Sequence, residues 1–88
     1  MALTKGSTGY LSTGYDVVPI VPNDDNDLPE HARAIRCKPT SGAGGTLRFT
    51  SLTGQVRNTE IVAGELLLVA AKRIHETGTT ATGLEAIV

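Results

Sequence analysis

The side chains best suited to chemistry are three aspartates in one short segment. Asp24, Asp25 and Asp27 lie close together, and hard cations such as Ca²⁺ bind several carboxylate oxygens supplied by a single loop. Their spacing does not fit an EF-hand loop, which needs acidic or amide side chains at alternate positions followed by glycine, because Leu28-Pro29 occupies the continuation. The sequence therefore predicts a solvated turn, with these aspartates as weak candidates for a cation site.

Cys37, His31 and His75 are the thiol and the imidazoles of the sequence. A structural zinc site would need all three and a carboxylate, and a cysteine–histidine nucleophile needs an orienting third group that no local pattern supplies. We expect Cys37 to be a small core residue and the histidines to flank strands. A lone cysteine cannot form an internal disulfide, which favours synthesis in the cytoplasm and leaves open a crosslink between subunits.

Residues 42–45 share only their glycine content with a phosphate-binding loop. No Lys-Ser/Thr follows them, and Thr46 opens a predicted strand rather than a helix that could bind an anion. The basic residues are scattered over several predicted strands without interleaved aromatic residues, and the formal net charge is -1, which disfavours nucleic acid as a partner. No apolar run approaches the roughly 20 residues of a membrane span. We predict no catalytic residue, no cofactor and no membrane or nucleic-acid partner.

The small size of the chain favours self-association. A domain of 88 residues gains only marginal stability from burial of its core, and this one has a single Phe and no Trp. The shortage of aromatic residues also disfavours a carbohydrate-binding β-module, which would have only Tyr10, Tyr15 and Phe49 to stack on sugar rings. That module remains the less favoured alternative to a protein that acts by contact with other proteins.

Alternating and β-branched segments joined by glycine-rich connections predict about six short strands. These segments are residues 15–21, 31–38, 46–52, 56–62, 66–71 and 83–88. Pro19 should place the first strand at a sheet edge or break it, since proline cannot donate to a ladder, and a hairpin should turn around Gly54. We predict an all-β fold, a small antiparallel β-sandwich or barrel formed by residues 15–88.

The segment Leu66-Leu67-Leu68-Val69-Ala70-Ala71 gives conflicting local signals. Its residues are mostly good helix formers, and Glu65 would suit a helix N-terminus. A run of six apolar residues preceded by glycine also suits a strand that is buried on both faces. Because the surrounding segments indicate strands, we predict a central buried strand here.

Residues 1–14 are rich in Gly, Ser and Thr, with Tyr10 and Leu11 as isolated apolar residues. This composition offers too little apolar surface for independent folding. We predict an extended N-terminal arm that orders against a neighbouring subunit, with Tyr10 and Leu11 as contact candidates. A disordered tail is the alternative.

Basic and threonine residues are further candidates for contact with a partner protein or with another subunit. They are Arg33, Arg36, Lys72, Arg73, Thr79 and Thr80. The basic side chains would lie on solvated faces or form ion pairs between subunits. The two threonines belong to a loop of small residues, which suits close packing because few rotamers need to be fixed.

Several short segments occur in an order that is shared with a known family. They are Val17-Val18-Pro19, Asp24-Asp25-Asn26-Asp27-Leu28-Pro29, Ala32-Arg33-Ala34-Ile35, Gly45-Thr46-Leu47-Arg48, Val62-Ala63-Gly64-Glu65-Leu66-Leu67 and Lys72-Arg73-Ile74-His75-Glu76-Thr77-Gly78-Thr79-Thr80-Ala81-Thr82. Over roughly residues 15–88 the chain resembles the spike base protein family of gene transfer agents and tailed phages. The end of the last segment, from Glu76 to Thr82, is its most specific part.

The resemblance implies a small virion protein on the outer face of the capsid, placed in gene transfer agents at the fivefold vertices, where it seats a fibre. It implies a homo-oligomer, preferably a pentamer and alternatively a trimer, with the major capsid protein and a head fibre protein as partners. It carries over no catalytic residue. The longer N-terminal arm and Ala70-Ala71 depart from the family pattern, so a decoration protein at another position of the capsid lattice is the alternative.

Overall fold

The computed structural model describes residues 16–88 and shows two antiparallel β-sheets. In chain order the strands are β1 (Val17–Pro19), β2 (Ala34–Cys37), β3 (Gly45–Ser51), β4 (Val56–Ile61), β5 (Leu66–Leu67), β6 (Ala71–Ile74) and β7 (Leu84–Ile87). The four-stranded sheet has the order β1-β7-β2-β5, and the three-stranded sheet has the order β4-β3-β6. The all-β prediction is confirmed. The predicted arm, with Tyr10 and Leu11, lies outside the described residues.

A single cluster of buried side chains draws on both sheets. In β3, Leu47 and Phe49 point inward and are 0% and 6% exposed, while in β7 the inward residues are Leu84 and Ala86. Cys37 of β2 is fully buried in the same cluster, as expected for a small core residue. The period-2 alternation of these strands therefore decides which face of each sheet lies against the core. Within residues 16–88 no helix has the length and apolar character needed to cross a membrane.

Two local features of the fold follow the sequence closely. β1 is an outermost strand of its sheet and pairs only with β7, which is where Pro19 can be accommodated. β3 and β4 form the expected hairpin, with Gly54 at φ +88° in the turn, and the Gly54 N–H donates to the Ser51 carbonyl at 2.9 Å. A positive φ at this position is readily adopted only by glycine.

The predicted central strand over residues 66–71 is wrong. The segment divides into β5, a two-residue strand at a sheet edge, and the start of β6 in the other sheet. Between them the Val69 N–H donates to the Leu67 carbonyl at 3.0 Å, a three-residue turn that ends β5 at once. Leu66 and Leu68 are 50% and 70% exposed, so two of the six residues of the apolar run are exposed. The central position that was assigned to this run belongs to β2 and β7.

Candidate functional site

The acidic loop, residues 22–30, is fixed by its own polar side chains. The Asn23 side chain accepts hydrogen bonds from two backbone N–H groups of the loop, at 2.8 and 3.0 Å. The Asp24 carboxylate accepts one from the Thr77 hydroxyl at 2.6 Å and one from the Thr77 N–H at 2.9 Å. These two bonds, the hydroxyl first, hold the pKa of Asp24 below its usual value because they stabilise the ionised form. The loop is thereby tied to the segment that follows β6.

Arg73 of β6 makes a second tie to the acidic loop. Its Nε donates to Asp27 Oδ1 at 2.9 Å, and its Nη1 donates to the Asp24 carbonyl at 3.1 Å. Two of the three predicted carboxylate candidates are therefore engaged with side chains of the chain itself, while Asp25 is exposed. Within residues 16–88 no three Asp, Glu, His or Cys side chains are arranged to hold a metal ion. The loop is built as a structural anchor.

The thiol and the imidazoles lie apart from one another. The Cys37 Sγ is 3.4 Å from the Thr82 carbonyl within the core, whereas His31 is exposed. His75 Nε2 is 2.8 Å from the Thr50 hydroxyl. Within residues 16–88 the Cys37 thiol therefore has no imidazole beside it, and the Thr50 hydroxyl that contacts His75 is buried, with 8% of its surface exposed.

The threonine loop, residues 77–82, places the hydroxyls of Thr79 and Thr80 against β3. The Thr46 N–H donates to Thr80 Oγ1 at 2.9 Å, and the Arg48 N–H donates to Thr79 Oγ1 at 3.0 Å. The loop's own backbone adds a bond from the Thr80 N–H to the Thr46 carbonyl at 3.0 Å. The hydroxyls of Thr79 and Thr80 therefore extend the ladder of β3 where β6 has ended. Both candidates therefore form hydrogen bonds within the chain. Sequence spacing could not show this, because their partners lie about thirty residues away.

The four basic contact candidates do not form one patch. Arg36 lies on the outer face of the four-stranded sheet, where its Nη1 donates to Glu85 Oε1 at 2.8 Å. Arg73 and Lys72 lie on β6 in the other sheet. Arg33 precedes β2, and its N–H donates to the Ile87 carbonyl at 2.7 Å. The structure thus separates the basic residues by sheet.

The outer face of the four-stranded sheet is unusually apolar. Strand register places two rows of residues on it, the first being Val17, Ile87 and Ala34 and the second Pro19, Glu85, Arg36 and Leu66. We call these seven residues the apolar sheet face. An antiparallel sheet with one face on the core normally carries polar residues on the other. Here the Arg36–Glu85 ion pair supplies the charge, and Val17 and Leu66 are each about half exposed.

The sequence contains a signal for this face that period-2 alternation alone does not reveal. Each strand of the four-stranded sheet carries two consecutive apolar residues, Val17-Val18, Ala34-Ile35, Leu66-Leu67 and Ala86-Ile87. Consecutive residues of a strand point to opposite faces, so these pairs make both faces of the sheet apolar. Strands with this composition are typical of a sheet that is covered on both sides. On the outer face Val17 and Leu66 are about half exposed, whereas Ala34 is only 5% exposed.

One solved structure contains a chain that is similar to this one. It is a chain in the capsid of a native GTA (gene transfer agent) particle that was computed with C5 symmetry. The two chains share 35% sequence identity with a TM-score of 0.74, and the match covers 88% of this chain and 87% of the other. No protein-family model and no curated protein matches the chain.

Proposed function

Since the chain belongs to the family of that gene-transfer-agent capsid protein, and is thus a capsid-associated structural protein of a virion, we propose that it is a vertex spike base. In this role it lies on the outer face of the capsid, forms a homo-oligomer, binds the major capsid protein and seats a fibre. The C5 symmetry with which the related particle was computed supports a pentamer over a trimer. A decoration protein at another position of the lattice is the second form of the proposal.

The apolar sheet face is the observation that carries this function. A protein that works by contact gains free energy when apolar surface loses water on binding, and an exposed apolar patch with a polar rim is typical of such a contact. Leu66 and Val17 are half exposed at opposite sides of this face, with the Arg36–Glu85 pair between them. The ion pair would fix the orientation of the partner while the apolar residues supply the affinity. We assign this face to the major capsid protein.

A capsid-binding assay tests the proposal. Particles that lack this protein are mixed with the purified chain, and bound protein is measured after sedimentation. We expect the wild type to bind and Leu66→Asp to lose at least about tenfold in affinity, which corresponds to about 1.4 kcal/mol. Leu52→Asp is the matched control, because Leu52 is also exposed but lies next to the β3–β4 turn in the other sheet.

The outcomes of this assay separate the two forms of the proposal from its failure. Equal binding by Leu66→Asp and the wild type would overturn the role of the apolar sheet face. A wild type that does not bind capsids would overturn the function itself. Bound protein located at the vertices would favour the spike base, and bound protein located elsewhere on the lattice would favour the decoration protein.

A further inference from the structure

The backbone hydrogen bonds of β3 determine which residues of the neighbouring strand β4 direct their N–H and C=O groups toward β3. The N–H groups of Thr46 and Arg48 donate to the threonine loop, and the Arg48 carbonyl accepts from the His75 N–H at 2.9 Å. These two residues therefore direct their backbone groups away from β4. Because successive residues of a strand direct these groups to opposite sides, Leu47 and Phe49 direct theirs toward β4.

β4 consequently has one side in the ladder and one side open. Leu47 lies opposite Thr59 and Phe49 opposite Arg57, so Thr59 and Arg57 exchange hydrogen bonds with β3. The alternate residues Val56, Asn58 and Glu60 must direct their N–H and C=O groups outward. Within residues 16–88 these outward groups have no hydrogen-bond partner. The open edge thus offers three N–H and C=O pairs in a row.

β1 has an outer edge that cannot accept another strand in the same way. Asp16 and Val88 exchange both backbone bonds, at 3.2 and 3.0 Å, so Val17 and Pro19 are the residues that face outward. The Val17 N–H donates to the carboxylate of its neighbour Asp16 at 2.8 Å, and Pro19 has no N–H. Proline and charged groups are the usual means of blocking an edge strand.

The remaining edges are covered or short. The Lys72 and Ile74 carbonyls of β6 accept hydrogen bonds from the acidic loop, through the Leu28 N–H at 2.8 Å and the Asn23 N–H at 2.9 Å. β5 has only two residues and ends in the turn at Val69. Among the described strands, β4 alone has six residues and an edge with neither a block nor a cover. An open edge of this length is suited to strand addition.

We propose that the open edge of β4 accepts an added strand from the N-terminal segment, residues 1–15, of a neighbouring copy of this chain. The proposal rests on the proposed function, in which copies form a closed ring. Pairing of β4 with β4 of another copy would be two-fold symmetric and would not propagate around a ring. The other described edges of a copy are blocked, covered or only two residues long, which leaves residues 1–15 as the donor within this chain.

The composition and length of residues 1–15 suit this role. The segment contains no proline, so each residue after the first has a backbone N–H to donate, and it is rich in Gly, Ser and Thr, whose small side chains permit close approach. Fully extended, 15 residues span about 50 Å at roughly 3.3–3.6 Å per residue. The longest dimension of the domain is 40 Å. The segment can therefore reach across one domain to the edge of the next.

Two full-length variants test the inference from the two sides of the contact. Asn58→Pro removes one outward N–H and leaves the β3–β4 ladder intact, and its matched control Asn58→Ala keeps the N–H. The double variant Leu11→Pro/Ser12→Pro removes two adjacent backbone N–H groups from the segment. Because successive residues direct these groups to opposite sides, one of the two would face β4 whichever side of the segment pairs with it. The control is Leu11→Ala/Ser12→Ala. The mass of the assembly is measured by native mass spectrometry, and the exchange rate of the Glu60 amide is measured by NMR.

We expect the wild type and both alanine controls to be oligomers in which the Glu60 amide exchanges at least about tenfold more slowly than in an open edge, the factor given by about 1.4 kcal/mol of opening free energy. Both proline variants should lose the oligomer and this protection.

Retention of Glu60 protection in Leu11→Pro/Ser12→Pro would overturn the inference, since another strand would then occupy the edge. A wild type with an unprotected Glu60 amide would also overturn it, even if that protein bound capsids and so met the test of the proposed function. A wild-type oligomer that is protected at Glu60 yet fails to bind capsids would overturn only the proposed function.

Discussion

Substitution of Gly83 by alanine should strongly destabilise the fold. Gly83 follows the threonine loop and has φ +69°, a conformation that costs an L-residue about 1–2 kcal/mol. An added Cβ would also lie 2.5 Å from the Cα of Gly42, so a backbone segment would have to move. Overpacking of this kind typically costs about 1–3 kcal/mol. The two contributions give about 2–5 kcal/mol for Gly83→Ala.

Gly54→Ala is the control that separates these two contributions. Gly54 also has a positive φ, +88°, but an added Cβ there would meet no atom within 4 Å. It should therefore cost only the conformational contribution of about 1–2 kcal/mol. Thermal unfolding followed by circular dichroism measures both variants, and for a domain of this size each 1 kcal/mol lowers Tm by about 4–8 °C. If Gly83→Ala lowers Tm no more than Gly54→Ala does, the close packing of Gly83 against Gly42 is refuted.

Two further predictions concern the hydroxyls that anchor the loops. Thr77→Val removes the shorter of the two Thr77 hydrogen bonds to Asp24 and should raise the pKa of that carboxyl toward 3.8. Because the folded pKa of Asp24 is lowered, its contribution to stability is present above pH 3.8 and is lost as the pH falls through the folded value. Urea unfolding from pH 6 to 2 should therefore show a smaller loss of unfolding free energy in Thr77→Val than in the wild type. Thr80→Val removes the acceptor for the Thr46 N–H and should cost about 1 kcal/mol, whereas Thr80→Ser should restore most of it. Equal urea midpoints for the valine and serine variants would contradict the anchoring role of the Thr80 hydroxyl.

The parts of the fold that sequence predicts are those in which local pattern and tertiary environment agree. β3 and β7 alternate as strands with one buried face, Pro19 marks an edge, and Gly54 marks a hairpin turn. In each case the requirement is local: a period of two, a missing N–H or a positive φ. These features need no knowledge of distant residues.

The parts that sequence did not predict depend on distant partners. The apolar run at residues 66–71 was interpreted as one buried strand, although it leaves one sheet and enters the other through the turn at Val69. Apolar composition alone does not distinguish a residue buried in the core from one such as Leu68 that is exposed in the isolated chain. The same ambiguity concealed the apolar sheet face, whose paired apolar residues are informative only once the strands are known to share a sheet.

The hydrogen bonds of the threonine loop are a second case of this dependence. Small polar residues in a glycine-containing segment indicate a loop, but nothing local assigns Thr79 to the N–H of Arg48. That bond fills a place in the ladder of β3 after β6 has ended.

The position and orientation of this chain in a reconstruction of the intact particle test the central claim most directly. The claim is that the protein is a capsid component that binds through the apolar sheet face. We predict density for the chain on the outer surface at the vertices, with Val17 and Leu66 against the major capsid protein and solvent excluded between them. Density in which this face is directed to solvent while another surface contacts the capsid would contradict the account.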